Sequence, residues 1–214
     1  MEGLKRLRCV FLYGILYMSL FAFLENQHVK YFLIHTKIDD KIPFCEYFVV
    51  PYLLWFVFVA LTVLYFAFFC EDRKEYNQLV WSLGIGMTVF IVFSFVFPNG
   101  QDLRPRLIGE EGLFIDLVRM VYAKDTPTNI FPSIHVYNSV VCCLAILNNE
   151  RCRKNAFVVW GTVLLTALIV VSTVLIKQHS IIDLIGALVL NVFVARGVYK
   201  TKTVYPVKVR RVTG

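Results

Sequence analysis

The stretch AFVVWGTVLLTALIVVSTVLIKQHSIIDLIG, residues 156–186, decides how the chain is to be read. Residues 156–176 carry no charged side chain. An apolar run of roughly 17–25 residues is long enough to cross a bilayer as an α-helix. Lys177-Gln178-His179-Ser180 then breaks the run, and a second apolar run begins with Asp183 set just inside it. Ionisable groups within a membrane span are costly, so each is a candidate for function. His179 and Asp183 are four apart, which places them on one face of a helix. A carboxylate beside an imidazole fixes its tautomer and supports its protonated form. Alone, Asp183 reads equally well as an acid held by a backbone or lysine partner near the interface.

The same pattern recurs outward from this stretch. Of 214 residues, 58% are hydrophobic and 17% charged, with mean hydropathy +0.65. A soluble domain carries about 25% charged residues, and here the apolar excess sits in long runs, so a soluble core is not expected. The runs predict six transmembrane helices, at about 9–24, 47–70, 79–97, 130–147, 156–176 and from the Lys177–Ser180 turn to near Tyr199. Pro51 falls in the first turns of the second, where proline is tolerated. Pro98-Asn99-Gly100 stops the third. The expected fold class is all-α: a polytopic membrane protein, a six-helix bundle. It forms one membrane-embedded domain over residues 1–200, followed by a basic cytoplasmic tail at 201–214. The polar connections are too short to fold alone. Met1–Arg8 is basic and precedes an apolar run, as in a signal peptide. Leu24-Glu25-Asn26-Gln27 offers no small-residue cleavage site, so the run is expected to stay as the first helix. Within the long polar stretch 101–129, residues 112–122 predict a short helix at the interface.

The net charge is +7. The basic residues flank apolar runs, so membrane anchoring and anionic lipid explain them better than nucleic acid, and no nucleic-acid partner is expected. With the N-terminus inside, fourteen Lys and Arg fall on the cytoplasmic side and eight on the other. This predicts both termini in the cytoplasm, at the plasma membrane, with the polar constellation below on the extracytoplasmic face. Cys9, Cys45, Cys70, Cys142, Cys143 and Cys152 lie in or beside apolar runs without zinc-type spacing, and read as small buried side chains.

Three polar features share one membrane face. Arg104-Pro105 follows the third helix, His135 opens the fourth, and His179 with Asp183 sits between the fifth and sixth. Helices four and five are sequence neighbours running antiparallel, so the start of one and the end of the other meet the same surface. In Phe131-Pro132-Ser133-Ile134-His135 the proline is expected in the first helical turn. That helix start would offer N–H groups to a phosphate, and Ser133 a hydroxyl. A lone His135 would read as an interfacial histidine without a role. His28 and His35 read as solvated loop residues. Arg119, Lys124 and Asp125 either rim the site or face water, and residues 125–129 read as turn chemistry. Trp55, Trp81 and Trp160 read as lipid-facing or packing residues.

Together these pieces resemble the three signature motifs of the type 2 phosphatidic acid phosphatase superfamily: Lys-x6-Arg-Pro, Pro-Ser-Gly-His and Ser-Arg-x5-His-x3-Asp. Here they stand as Arg104-Pro105, Pro132-Ser133-Ile134-His135 and Ser172-Thr173-x5-His179-x3-Asp183. The resemblance covers residues 79–199, with the first two helices as lead-in. It implies a lipid phosphate substrate and hydrolysis of a phosphomonoester or pyrophosphate. His179 would attack phosphorus, Asp183 would orient it, and His135 would protonate the leaving alkoxide. Arg104, Ser133 and Lys177 or Arg106 would hold the phosphoryl oxygens. No metal or other cofactor is required by that scheme, although two histidines and an aspartate can also bind zinc. Phe97, Thr173 and Ile134 replace the family's lysine, arginine and glycine. Missing cations of this kind resemble the inositol phosphorylceramide and sphingomyelin synthase branch, which implies transfer of a phospho-head group to a lipid hydroxyl as the alternative reaction. An inactive relative that binds or scrambles lipid is a second alternative.

Overall fold

The computed structural model describes residues 2–27 and 29–199; His28 and the basic tail at 201–214 lie outside the described residues. Five helices are long and apolar enough to cross a membrane: α1 (Glu2–Glu25), α2 (Val49–Phe68), α3 (Arg73–Val96), α7 (Ala156–Leu175) and α8 (Ile181–Tyr199). The remaining expected run is α5 (Ile134–Asn148), an apolar helix of 15 residues. It is buried along most of its length and packs against α2, α3, α7 and α8, so it forms the axis of the bundle. Two short helices, α4 (Leu113–Lys124) and α6 (Glu150–Arg153), lie in the connections. The short helix expected at 112–122 is present as α4.

Polar caps set the starts of α3, α5 and α7. α3 starts six residues earlier than its apolar run, because the Asp72 side chain accepts from Lys74 N at 2.7 Å. The charged segment at 71–75 is therefore helical from Arg73. Asn155 caps α7 through Phe157 N and Val158 N. Ser133 caps α5, accepting from Val136 N at 3.4 Å. Pro132 thus precedes the cap and does not occupy the first turn.

Two glycines let the axis close up. A Cβ on Gly86 would lie 1.9 Å from the Tyr137 ring, and one on Gly186 2.4 Å from the Phe131 ring. α5 consequently lies against α3, with Tyr137 Oη donating to Ser82 O at 2.7 Å. The loops at one end are equally tied. β1 (Phe32–Leu33) pairs in parallel with β2 (Asn99–Gly100). Asn99 Oδ1 accepts from Ile130 N and Phe131 N, both at 2.9 Å, and Asn99 O accepts from Asn129 N at 2.6 Å. The α3 exit is thereby stapled to the α5 entry. Trp81 and Trp160 are exposed on the bundle surface, whereas the Trp55 ring packs at 4.3 Å from that of His135.

Candidate active site

The break between α7 and α8 is a tight turn. Lys177 adopts a left-handed φ of 55°, and Gln178 N and His179 N both donate to Thr173 O at 3.0 Å. Asp183, in the first turn of α8, accepts from Ser180 N at 2.8 Å through Oδ2. The same oxygen lies 3.4 Å from His179 Nδ1, a contact still longer than a good hydrogen bond. Such bonds are commonly long in unliganded sites and tighten around substrate. Asp183 O also accepts from Ser133 N at 3.2 Å, so the starts of α8 and α5 are joined. The ring of His135 lies 5.7 Å from that of His179, centroid to centroid, and rests on Tyr52 and Trp55. His135, His179 and Asp183, far apart in sequence, therefore form one buried cluster.

The expected phosphate-binding residues are placed less uniformly. Arg104 reaches the cluster's edge. Its Nη1 donates to Tyr122 O, its Nη2 to Asp125 O and Gln178 Oε1, and its guanidinium lies 4.5 Å over the Tyr122 ring. Burial lowers its pKa, opposed by the Asp125 carboxylate; a guanidinium stays charged regardless. Ser133 is fully buried, with its hydroxyl oxygen serving as the α5 cap. The Lys177 ammonium is directed elsewhere, donating to Asp39 O at 2.7 Å and Ile42 O at 2.5 Å. Arg106 is exposed, and Lys124 is exposed on the cavity rim. Phe97 stacks on Phe32 at 4.2 Å, and Thr173 is fully buried with its hydroxyl donating to Val170 O. Neither position brings a cation to the cluster.

Two residues gain importance from the structure. Asp39 is 1% exposed, yet it accepts from Thr36 N and Oγ1, Ser180 Oγ and Ile181 N at 2.7–2.8 Å. It caps α8 from a distant loop. Burial pushes its carboxyl up, but the bonds from Ile181, Ser180 and Thr36 outweigh that and hold it below the usual range. Gln178 accepts from Arg104 and lines the same cavity as the histidines. Its sequence signal was the break in the apolar run beside His179; Asp39 gave none beyond an acidic pair in a loop.

The cluster opens into a cavity of about 370 Å³, walled largely by apolar side chains such as Tyr17, Phe21, Phe56 and Phe90 and lined also by His135, Gln178, His179, Lys124 and Asp125. An apolar pocket with a few convergent polar groups is the usual form of a ligand site. Among the described residues no group of three or more His, Cys, Asp or Glu is placed to hold a metal ion. A family model described as the PAP2 superfamily matches residues 28–196. The chain belongs to the PAP2 superfamily. No curated protein and no solved structure matches it. PAP2 membership supports a lipid-related function of phosphatase or phosphotransferase type, and the PAP2-type helical bundle is that of an integral membrane protein.

Proposed function

We propose that the chain is a membrane lipid phosphatase working through a phosphohistidine on His179. The observation that carries this reading is the His179–Asp183 pair beside His135, with both histidines lining a largely apolar cavity. With Nδ1 turned to Asp183, Nε2 of His179 is the nitrogen left to attack phosphorus. The P–O bond to the lipid breaks as the P–N bond forms, and His135 gives a proton to the departing oxygen. His135 then takes a proton from water, whose oxygen displaces the histidine and frees phosphate. Asp183 supports the imidazolium character of His179 during both steps. Arg104, held by Tyr122 O, Asp125 O and Gln178 Oε1, supplies positive charge behind the equatorial oxygens without touching them. The lipid tail occupies the apolar cavity, and the positive-inside count orients this end to the extracytoplasmic face.

The second reading is transfer of the phospho-head group to a lipid hydroxyl. It is favoured by apolar walls that reach as far as His135, where an acceptor alcohol could bind in place of water. Purified protein in detergent, with EDTA present, would be given phosphatidate or polyprenyl diphosphate. Phosphate release by wild type but not by His179→Ala is expected. Transfer only when diacylglycerol or ceramide is added establishes the second reading, and equal release by both proteins overturns the histidine mechanism.

A further inference from the structure

Two buried glutamines lie near the candidate site, and only one of them is satisfied. Gln101 Nε2 donates to Lys177 O at 3.0 Å, and its Oε1 accepts from Leu103 N. Both ends of that amide hold backbone, so Gln101 staples a loop. Gln178 is equally buried, at 2% exposure, but only its oxygen is engaged, by Arg104 Nη2. A guanidinium has donors and no acceptor. The amide must therefore turn its oxygen to Arg104 and its NH2 away from it. That NH2 has no partner in the protein. A buried donor without a partner is destabilising and is kept where something else can supply the acceptor.

The surroundings define that acceptor. Gln178 precedes His179, shares its Thr173 O anchor, and lines the cavity with His135 and His179. The nearby positions Phe97 and Thr173 bring no cation, and Lys177 points to the loop carbonyls of Asp39 and Ile42. A phosphoryl group on His179 would offer three acceptor oxygens beside this amide. We infer that Gln178 Nε2 donates to a phosphoryl oxygen of the substrate, its amide aimed by Arg104. This rests on the reading of His179 as the phosphoryl acceptor. Arg104 then acts through Gln178 as a positioning residue, and the oxygens meet a polarised neutral donor in place of a second cation.

Gln178→Glu separates a ligand role from a structural one. A glutamate still accepts from Arg104, so the fold and the Arg104 anchor are kept, but it turns an oxygen toward the phosphate. Inorganic phosphate binding to detergent-solubilised full-length protein would be titrated for wild type, Gln178→Glu and Gln178→Ala, alongside melting temperature. At least tenfold weaker phosphate binding is expected for both variants, with the melting temperature of Gln178→Glu kept or raised. Phosphate affinity within twofold of wild type in Gln178→Glu overturns the inference, and the same result in Gln178→Ala does so if the glutamate variant fails to fold. A wild type that binds no phosphate overturns the parent reading as well.

Discussion

The two ends of the bundle carry polar networks of similar reach and opposite character. At the end away from the histidines, Arg6 donates to Cys70 O, Tyr76 Oη to Arg6 O, and Asn149 Nδ2 to Glu75 Oε2 at 2.6 Å. Tyr65 closes the set on Asn149 Oδ1. These bonds join α1, α2, α3 and the C-terminal cap of α5, and no buried polar side-chain atom in the set lacks a partner. At the histidine end, Arg104 Nε, His135 Nδ1, Gln178 Nε2, His179 Nδ1 and Asp183 Oδ1 are all buried without a hydrogen-bond partner. A satisfied network holds helices together. A cluster that gathers unsatisfied groups in one place gives up stability for an environment that a ligand completes.

Substitutions should separate the ends by what they damage. The largest effect is expected from His179→Ala or His135→Ala, each lowering lipid phosphate turnover by at least about 10³-fold. Their melting temperatures should be unchanged or higher; a parallel collapse of folding would erase the contrast. Next comes Asp39→Ala, which leaves Ser180 and the α8 start without their acceptor. It should lower stability by about 2–3 kcal/mol and turnover by about 10–100-fold through misplacement of His179 and Asp183. The Asp39 carboxyl is held below its ordinary range, so its stabilisation is present above about pH 4 and is lost as pH falls through the folded value. Melting curves of wild type and Asp39→Asn from pH 7 to 3 should therefore converge at acid pH, and a constant gap would remove Asp39 from the account.

Asn149→Ala tests the satisfied end. It should cost about 1–3 kcal/mol while turnover per folded molecule stays within about twofold; a larger loss would mean that the ends are coupled. The smallest effect belongs to His35, whose ring bridges Asp40 at 2.7 Å and Asp102 at 2.6 Å. Those two carboxylates, Asp40 first, raise its pKa. Its stabilisation is complete below about pH 6.5 and is lost as pH rises through the folded value. Solvent screening limits it to less than about 1 kcal/mol. The melting difference between wild type and His35→Ala should shrink from pH 5 to 9, and a difference that grows would reverse the assignment.

The apolar runs located all the major helices, because burial in lipid writes itself into composition. They misjudged the start of α3 and the position of Pro132, since caps are polar and lie outside any hydropathy signal. The four-residue spacing of His179 and Asp183 and the antiparallel run of α5 and α7 were enough to bring both histidines and the acid to one end. What the spacing could not carry was the direction of long side chains. Lys177 lies two residues from His179, yet a left-handed backbone turns its ammonium to another loop. Nor could it show Asp39, whose bond to Ser180 spans 141 positions. His35 is exposed, as expected of a solvated loop residue, but it is held between two carboxylates that the spacing did not show.

Asn99 closes a ring of chain: the polypeptide leaves α3 and returns to α5 through the bonds of this one residue. Everything from Gln101 to Thr128 is thereby an excursion with a locked base, and its tip at Gly109 and Gly112 has open space around both glycines. Doubling the length of a flexible loop adds only about 0.6 kcal/mol of closure entropy. Insertions at that tip can therefore accumulate without moving His135, so chain length there is free to vary while Arg104 and the cavity-lining residues from Met120 to Thr128 stay in place.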